Sequence, residues 1–216
     1  MRRALGGAAL ALCAAGCAAP APRPEPPGAP TSIEQRVQTI MQDARDGEHE
    51  ADSKARAALA EDAGRQAAAC LAMAPQAGPC LYGQALALGL EARARPAHAA
   101  ELLKRMLADL DGADAADPAY DEAGPARVRA LVLTRAPGWP LGPGDPAAAV
   151  TAARRAVDLR PEYPPNLLTL AEALAKSGDG PAAHAAWQQA RERALVLPAR
   201  TDRDEWLREA ERGLRR

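Results

Sequence analysis

The sequence has no phenylalanine, and its aromatic side chains are three tryptophans and three tyrosines, 3 % of 216 residues. Large flat side chains therefore cannot fill its core. Yet 48 % of the chain is hydrophobic, and much of that fraction is alanine. Small apolar faces bury enough surface only when backbones approach closely, which favours stacked helices over a sheet. No segment shows the period-two alternation of a half-buried strand. A dominant charge is missing as well, with 27 Lys and Arg against 28 Asp and Glu and a formal net charge of -1. Such a balance supplies no field to draw the protein onto nucleic acid. Arginine outnumbers lysine, and the two signs interleave as they do on solvated helix faces with i, i+4 pairs.

Assembled catalytic chemistry is absent from the pattern. His49, His98 and His184 stand singly, with no H-E-x-x-H and no carboxylate at ligand spacing. Ser53, Thr134 and Ser177 have no G-x-S-x-G context, and no glycine loop is built for phosphate. Asp109, Asp111, Asp114, Asp117 and Asp121 crowd together, but without the glycine and the twelfth-position Glu of a calcium loop. They read as a capped, solvated linker. The expectation is a protein that is not an enzyme and that carries no metal and no cofactor.

The N-terminus gives an address. After Met1-Arg2-Arg3, the uncharged run from Ala4 to Ala15 is too short to anchor in a bilayer and reads as a secretory signal. Ala14-Ala15-Gly16-Cys17 resembles a bacterial lipoprotein processing site, with residues 1–16 as the leader and Cys17 as the lipidated residue. Cys13 fits less well, because bulky Leu12 would occupy a small-residue position. The alternative is ordinary secretion with cleavage near Ala19. Ala18 after the cysteine favours the periplasmic face of the outer membrane over the inner one. Residues 17–31 are proline-rich, an extended tether whose last fourteen residues, at about 3.1 Å each, span roughly 40 Å. In an oxidising compartment Cys70 and Cys80, flanking a turn, suit a disulfide that chain entropy makes stabilising by about 3 kcal/mol. Alternatively, Cys70 is only a small residue at a helix crossing; with no histidine nearby, the pair is a poor zinc site.

The folded part is expected over residues 32–216. Ser32 to Gln35 form a capping box before a helix that ends near Gly47. Further helices are expected over Ala51 to Ala74, Cys80 to Arg95 and Pro96 to Leu110, followed by the Asp-rich linker. Next come a helix opened by Pro125 and ending at Arg135, the insert APGWPLGPGD, and a helix from Pro146 closed by Pro161. Residues 165–198 carry tetratricopeptide spacing. Ala171 takes the small position of the first helix, and Leu174, Gly178, Ala183, Trp187 and Ala190 follow at the tyrosine, turn, alanine, aromatic and second alanine positions. In the preceding unit Ala149, Ala153, Ala156 and Pro161 take the second-helix positions. Thr201 and Asp202 are expected to cap a last helix, whose polar face suits a solenoid terminus. The fold class is all-α, a tetratricopeptide-like hairpin solenoid of nine to ten helices with a Pro/Gly-rich insert inside one repeat.

Between Asp117 and Asn166 the chain resembles the TRAP transporter T-component family of tetratricopeptide lipoproteins. The matching residues are Asp117-Pro118-x-Tyr120, Gly124-Pro125-x-Arg127, Ala136-Pro137-x-Trp139-Pro140, Gly144-Asp145-x-x-x-Ala149 and Leu159-x-Pro161. The resemblance implies an all-helical periplasmic protein that partners the transporter's solute-binding receptor, a pore for a hydrophobic ligand, and a trimeric homo-oligomer. Arg127 reads either as a clamp pairing Asp117 or Asp121, or as the partner of a ligand carboxylate. Trp139 reads as a plug packing the insert onto the helices, or, if exposed beside the concave surface, as a binding anchor. Three functions remain open: a lipid-anchored scaffold binding another envelope protein, a carrier of a small apolar ligand in a cavity lined by Leu88, Leu131, Leu133 and Leu168, and an outer-membrane or pilus assembly lipoprotein.

Overall fold

The computed structural model describes residues 32–198 and 201–215. The leader, Cys17 and the tether lie outside the described residues. Among those residues there are nine α-helices and no strands: α1 Ile33–His49, α2 Ser53–Met73, α3 Gly78–Ala94, α4 Ala99–Ala116, α5 Tyr120–Arg135, α6 Pro146–Leu159, α7 Pro164–Ser177, α8 Gly180–Leu195 and α9 Thr201–Leu214. Polar caps and prolines set their starts. Ser32 and Gln35 form the reciprocal capping box of α1, and Asp52, Asp145 and Asp179 accept from the first free amides of α2, α6 and α8. Prolines sit in the first turns of α3, α6, α7 and α8, where a missing N–H costs nothing. Gly178, with φ of 91°, closes α7 in the left-handed region.

Successive helices pair as hairpins, α1 with α2 through α7 with α8, and α9 covers the end. The odd helices also pack on one another in a continuous series, whereas α2, α4, α6 and α8 do not meet. Helices touching along one layer and splaying along the other curve the array, with the odd helices inside. Close hairpin pairing rests on alanine. Ala60, Ala63 and Ala67 of α2 pack against Ile40 and Leu90. Ala183, Ala186 and Ala190 of α8 pack against Leu167, Leu168 and Leu174. In these two hairpins small faces on the even helices receive larger residues of the odd ones, whereas α4 buries Leu102, Met106 and Leu110 against α3. All of Ala149, Ala153, Ala156, Ala171 and Ala183 are fully buried, while Pro161 is exposed in the α6–α7 turn. Cys70 and Cys80, both fully buried, are joined by a disulfide that ties α2 to α3.

Several boundaries differ from the sequence reading. The Asp-rich linker is mostly helix: α4 continues to Ala116, because Arg129 and Arg155 neutralise Asp111 and Asp114 on its exposed face and the intervening alanines favour helix. Pro96 begins a single 3-10 turn, and α4 starts only at Ala99. The last helix begins at Thr201, so Asp202 lies in its first turn and not before it. No helix among the described residues is long and apolar enough to cross a membrane.

One buried charge opposes the fold. Asp43 of α1 is only 9 % exposed, and its Oδ2 has no hydrogen-bond partner. Burial, then the neighbouring Asp62 and Asp46 against Arg65, push its carboxyl up to about 6 from 3.8. The folded state therefore keeps a proton that the unfolded chain releases, so this stabilisation is full below pH 3.8 and is lost as pH rises through about 6. Asp43→Asn is expected to be more stable than the parent at pH 7, by up to about 3 kcal/mol, and equal to it near pH 3.5. Urea denaturation at both pH values measures the difference; equal stability at pH 7 refutes it.

Candidate functional site

The start of α5 breaks the rule that governs every other helix. Asp121, Glu122 and Ala123 have φ of 47°, 54° and 63°, three consecutive non-glycine residues in the left-handed region. Each costs roughly 1–2 kcal/mol. The turn is held by Arg127, one turn into the right-handed part. Its Nη1 donates to the Asp121 and Glu122 carbonyls, both at 3.0 Å, and its Nη2 donates to Asp121 Oδ2 at 2.7 Å. Tyr82 of α3 donates to the same carboxylate oxygen at 2.6 Å. Asn166 of α7, fully buried, donates to the carbonyls of Glu122, Ala156 and Arg160 and accepts from Arg127. One buried network thereby locks α3, α5, α6 and α7 together. A side chain at Gly124 would meet the Tyr82 hydroxyl 2.7 Å away, so the glycine is required by space. Burial above all holds the Tyr82 phenol well above its usual range, against the pull of Arg127. Burial alone would lower Arg127, but Tyr82, Asp121 and Tyr163 together raise it, so the clamp stays charged.

This network forms one wall of a cavity of about 790 Å³ on the inner face. The Arg127 guanidinium lies 5.2 Å from the Tyr163 ring centroid. Tyr163 meets Trp206 of α9 edge to face, and Tyr82 meets Tyr120 in the same way, both at 5.6 Å between centroids. The wall is therefore an aromatic array interrupted by one cation. Of the six aromatic side chains in the sequence, Tyr82, Tyr163, Trp187 and Trp206 line the cavity. Met41, Ala44, Leu86 and Val128 supply an apolar sector. Polar and charged side chains line the same cavity: Glu48 and His49 of α1, Arg135 of α5, Glu172 of α7, and Glu205 and Glu209 of α9 form its rim.

Arg135 is the centre of that rim. It binds Glu172 with two hydrogen bonds, 2.9 and 2.7 Å, and lies 3.9 Å from Glu48. The exposed side chains of His49 on α1 and Glu205 on α9 come within 3.8 Å across the opening, while the helices themselves do not pack together. Burial, and Glu172 and Glu48 against Arg135, raise the Glu209 carboxyl above its ordinary value. Gly213 lies so close to the Trp187 indole that no side chain fits between them, which seats α9 over the last hairpin.

The motif residues divide into two groups. Tyr120, Gly124, Pro125 and Arg127 converge on the buried network; Asp117 caps the end of α4, with Pro118 in the turn after it, and the Asp117 carboxylate accepts from the Ala119 amide instead of Arg127. Pro137, Trp139 and Pro140 lie apart, in the loop between α5 and α6, with a cis Trp139–Pro140 peptide. Trp139 does not plug that loop onto the helices, since it is 91 % exposed; the loop is closed by its own backbone hydrogen bonds and needs no side-chain plug. Leu88, Leu133 and Leu168 belong to the packing between helices, and neither they nor Leu131 reaches the cavity.

Sequence reasoning does not find Asn166, Tyr163, Arg135, Glu172 or Trp206 as site residues. The signal for Arg135 was present: it stands two helical turns after Val128, on the same inner face. Among the described residues no group of three or more His, Cys, Asp or Glu side chains is placed to hold a metal ion. No family model matches the chain, and no curated protein matches it.

Two substitutions read the strained turn in opposite directions. Glu122→Gly, which relieves one left-handed residue on the surface, is expected to stabilise the fold by about 1 kcal/mol. Arg127→Met, which strands the Asp121 carboxylate and two carbonyls, is expected to cost about 3–5 kcal/mol. Thermal and urea unfolding of both variants measure this; a destabilised Glu122→Gly rules the turn out.

Proposed function

We propose that the chain is a non-enzymatic, lipid-anchored envelope protein of the tetratricopeptide type. In this reading the inner cavity receives a segment of another envelope protein, with the solute-binding receptor of a TRAP-type transporter as the specific candidate. The observation that carries it is the gathering of four of the chain's six aromatic side chains, together with charges of both signs, around one cavity of about 790 Å³. Tyr163 and Trp206 are partly exposed there, whereas Tyr82 and Trp187, 1 % and 8 % exposed, belong to the buried clusters that hold the wall in place. Indole and phenol rings give large contact area at low entropic cost, and they dominate binding where neighbours exclude water. The charged rim, with Glu48, Glu172, Glu205 and Glu209 around Arg135 and His49, supplies direction and selectivity to such a contact.

A second reading is favoured by the volume alone, which lies in the range of small-ligand sites. In that case the chain is a carrier. The lining then calls for a cargo with an apolar or aromatic body and a charged end, because Met41, Leu86 and Val128 line the same cavity as the Arg135 cluster.

In-cell crosslinking from a photoreactive residue at Glu205, on the rim, is expected to trap a solute-binding receptor or a transporter subunit, identified by mass spectrometry. Trp206→Ala should reduce the trapped product about tenfold. Recovery of outer-membrane assembly components overturns the transporter assignment, and recovery of the chain alone favours the carrier. The lipid anchor is tested separately: Cys17→Ala is expected to move the protein from the membrane to the soluble periplasmic fraction, and unchanged fractionation refutes the anchor.

A further inference from the structure

The loop between α5 and α6 carries two large apolar side chains in water: Trp139 is 91 % exposed and Leu141 is 75 % exposed. Residues 136–144 contain no charge. Their backbone is unusually short of free donors. Pro137, Pro140 and Pro143 have no N–H to give. The amide of Ala136 donates to Val132 O, those of Leu141 and Gly142 to Gly138 O, and that of Gly144 to Pro137 O, at 2.9–3.2 Å. Asp145 N adds a bond to Leu133 O at 3.0 Å, which fastens the loop to the end of α5. Added side chains at Gly142 or Gly144 would collide with the carbonyls of Pro137 and Ala136, so the loop is packed upon itself.

We propose that this loop is a second membrane contact, with the Trp139 indole and the Leu141 side chain entering the boundary between headgroups and acyl chains. The backbone favours lipid. Irregular backbone is excluded from apolar surroundings by the cost of unpaired amides, and here three of the nine residues have no amide hydrogen and four of the remaining six amides donate within the loop or to α5. The shape points the same way. A protein interface needs a ring of surrounding contacts to shut out water, whereas Trp139 and Leu141 stand among exposed Pro137, Gly138 and Pro140. A bilayer interface closes around an isolated indole and needs no such ring. Charge does not guide the contact, because Arg135 beside the loop is already paired with Glu172.

The inference rests on the lipid-anchored reading, which keeps the domain near a membrane. Glu48 and Arg135, 3.9 Å apart, put the end of α1 beside the end of α5. The loop and Ser32 therefore lie at opposite ends of a 17-residue helix, about 25 Å long. Tether and loop together would lay the domain along the surface.

The test uses the full chain bearing Cys17→Ser, which cannot be acylated, with phosphatidylcholine vesicles whose acyl chains carry bromine. The chain is expected to sediment with the vesicles and to lose part of its tryptophan fluorescence to the bromines. Trp139→Ser with Leu141→Ser in the same background is expected to lower the bound fraction about fivefold and to abolish the quenching. Because residues 1–16 are common to both proteins, the difference belongs to the loop, and an unchanged melting temperature shows that the variant is folded. Equal binding and quenching overturn the proposal. So does binding that requires anionic phosphatidylglycerol and survives the double substitution, and so does loss of a crosslinked protein partner with no change in vesicle binding. Failure here with Cys17→Ala still releasing the protein from membranes removes the loop contact and leaves the anchor intact.

Discussion

The charge on Arg127 is the constraint on which the inner layer depends. Four helices converge where four carbonyl oxygens and one carboxylate would otherwise be buried facing one another. A single guanidinium, backed by Asn166, satisfies most of them. Planarity matters here as much as charge: two nitrogens reach three oxygens of the left-handed turn at once, which an ammonium on a flexible stem does not do. The turn itself would not survive alone. It exists because the surroundings over-determine it, and its product is the placement of the Asp121 carboxylate and the Tyr82 hydroxyl at the wall of the cavity.

Curvature and composition answer the same requirement. Alanine faces on α2 and α8 let their hairpins close tightly, and larger residues of the odd helices fill the seam beside them. The outer helices splay, the inner ones meet, and the array bends until His49 and Glu205 approach. Tyr82 and Trp187 are part of this packing, and Tyr163 and Trp206 stay partly exposed on the concave side.

Much of the architecture was legible because it rests on local signals. The Ser32 cap, the prolines at helix starts and the glycine at position 178 each act within one turn of chain. The alanine spacing at 149, 153, 156, 183 and 190 likewise reports a helix face. The Asp-rich stretch misled because its acidic residues are balanced by Arg129 and Arg155, which lie 18 and 41 positions away. The cavity was less legible still. Tyr163 stands at the start of α7 and Glu172 within it, and they share the cavity with Trp206 only because α9 packs back on α7, a tertiary contact that no local pattern encodes. Trp139 was misread for a related reason: a tryptophan among prolines suggests packing, and only the loop's own hydrogen bonds show that nothing is left for it to pack against.

The approach of α1 to α9 has a consequence for how such a chain can change over evolutionary time. Solenoids ordinarily lengthen by duplicating a repeat, since each unit touches only its neighbours. Here Glu48 and His49 of the first helix also reach Arg135 and Glu205 across the cavity, although the backbones of α1 and α9 stay apart. An inserted hairpin would separate those side chains while leaving the packing of each hairpin intact. Changes of length that preserve the rim therefore belong in loops such as the one between α5 and α6.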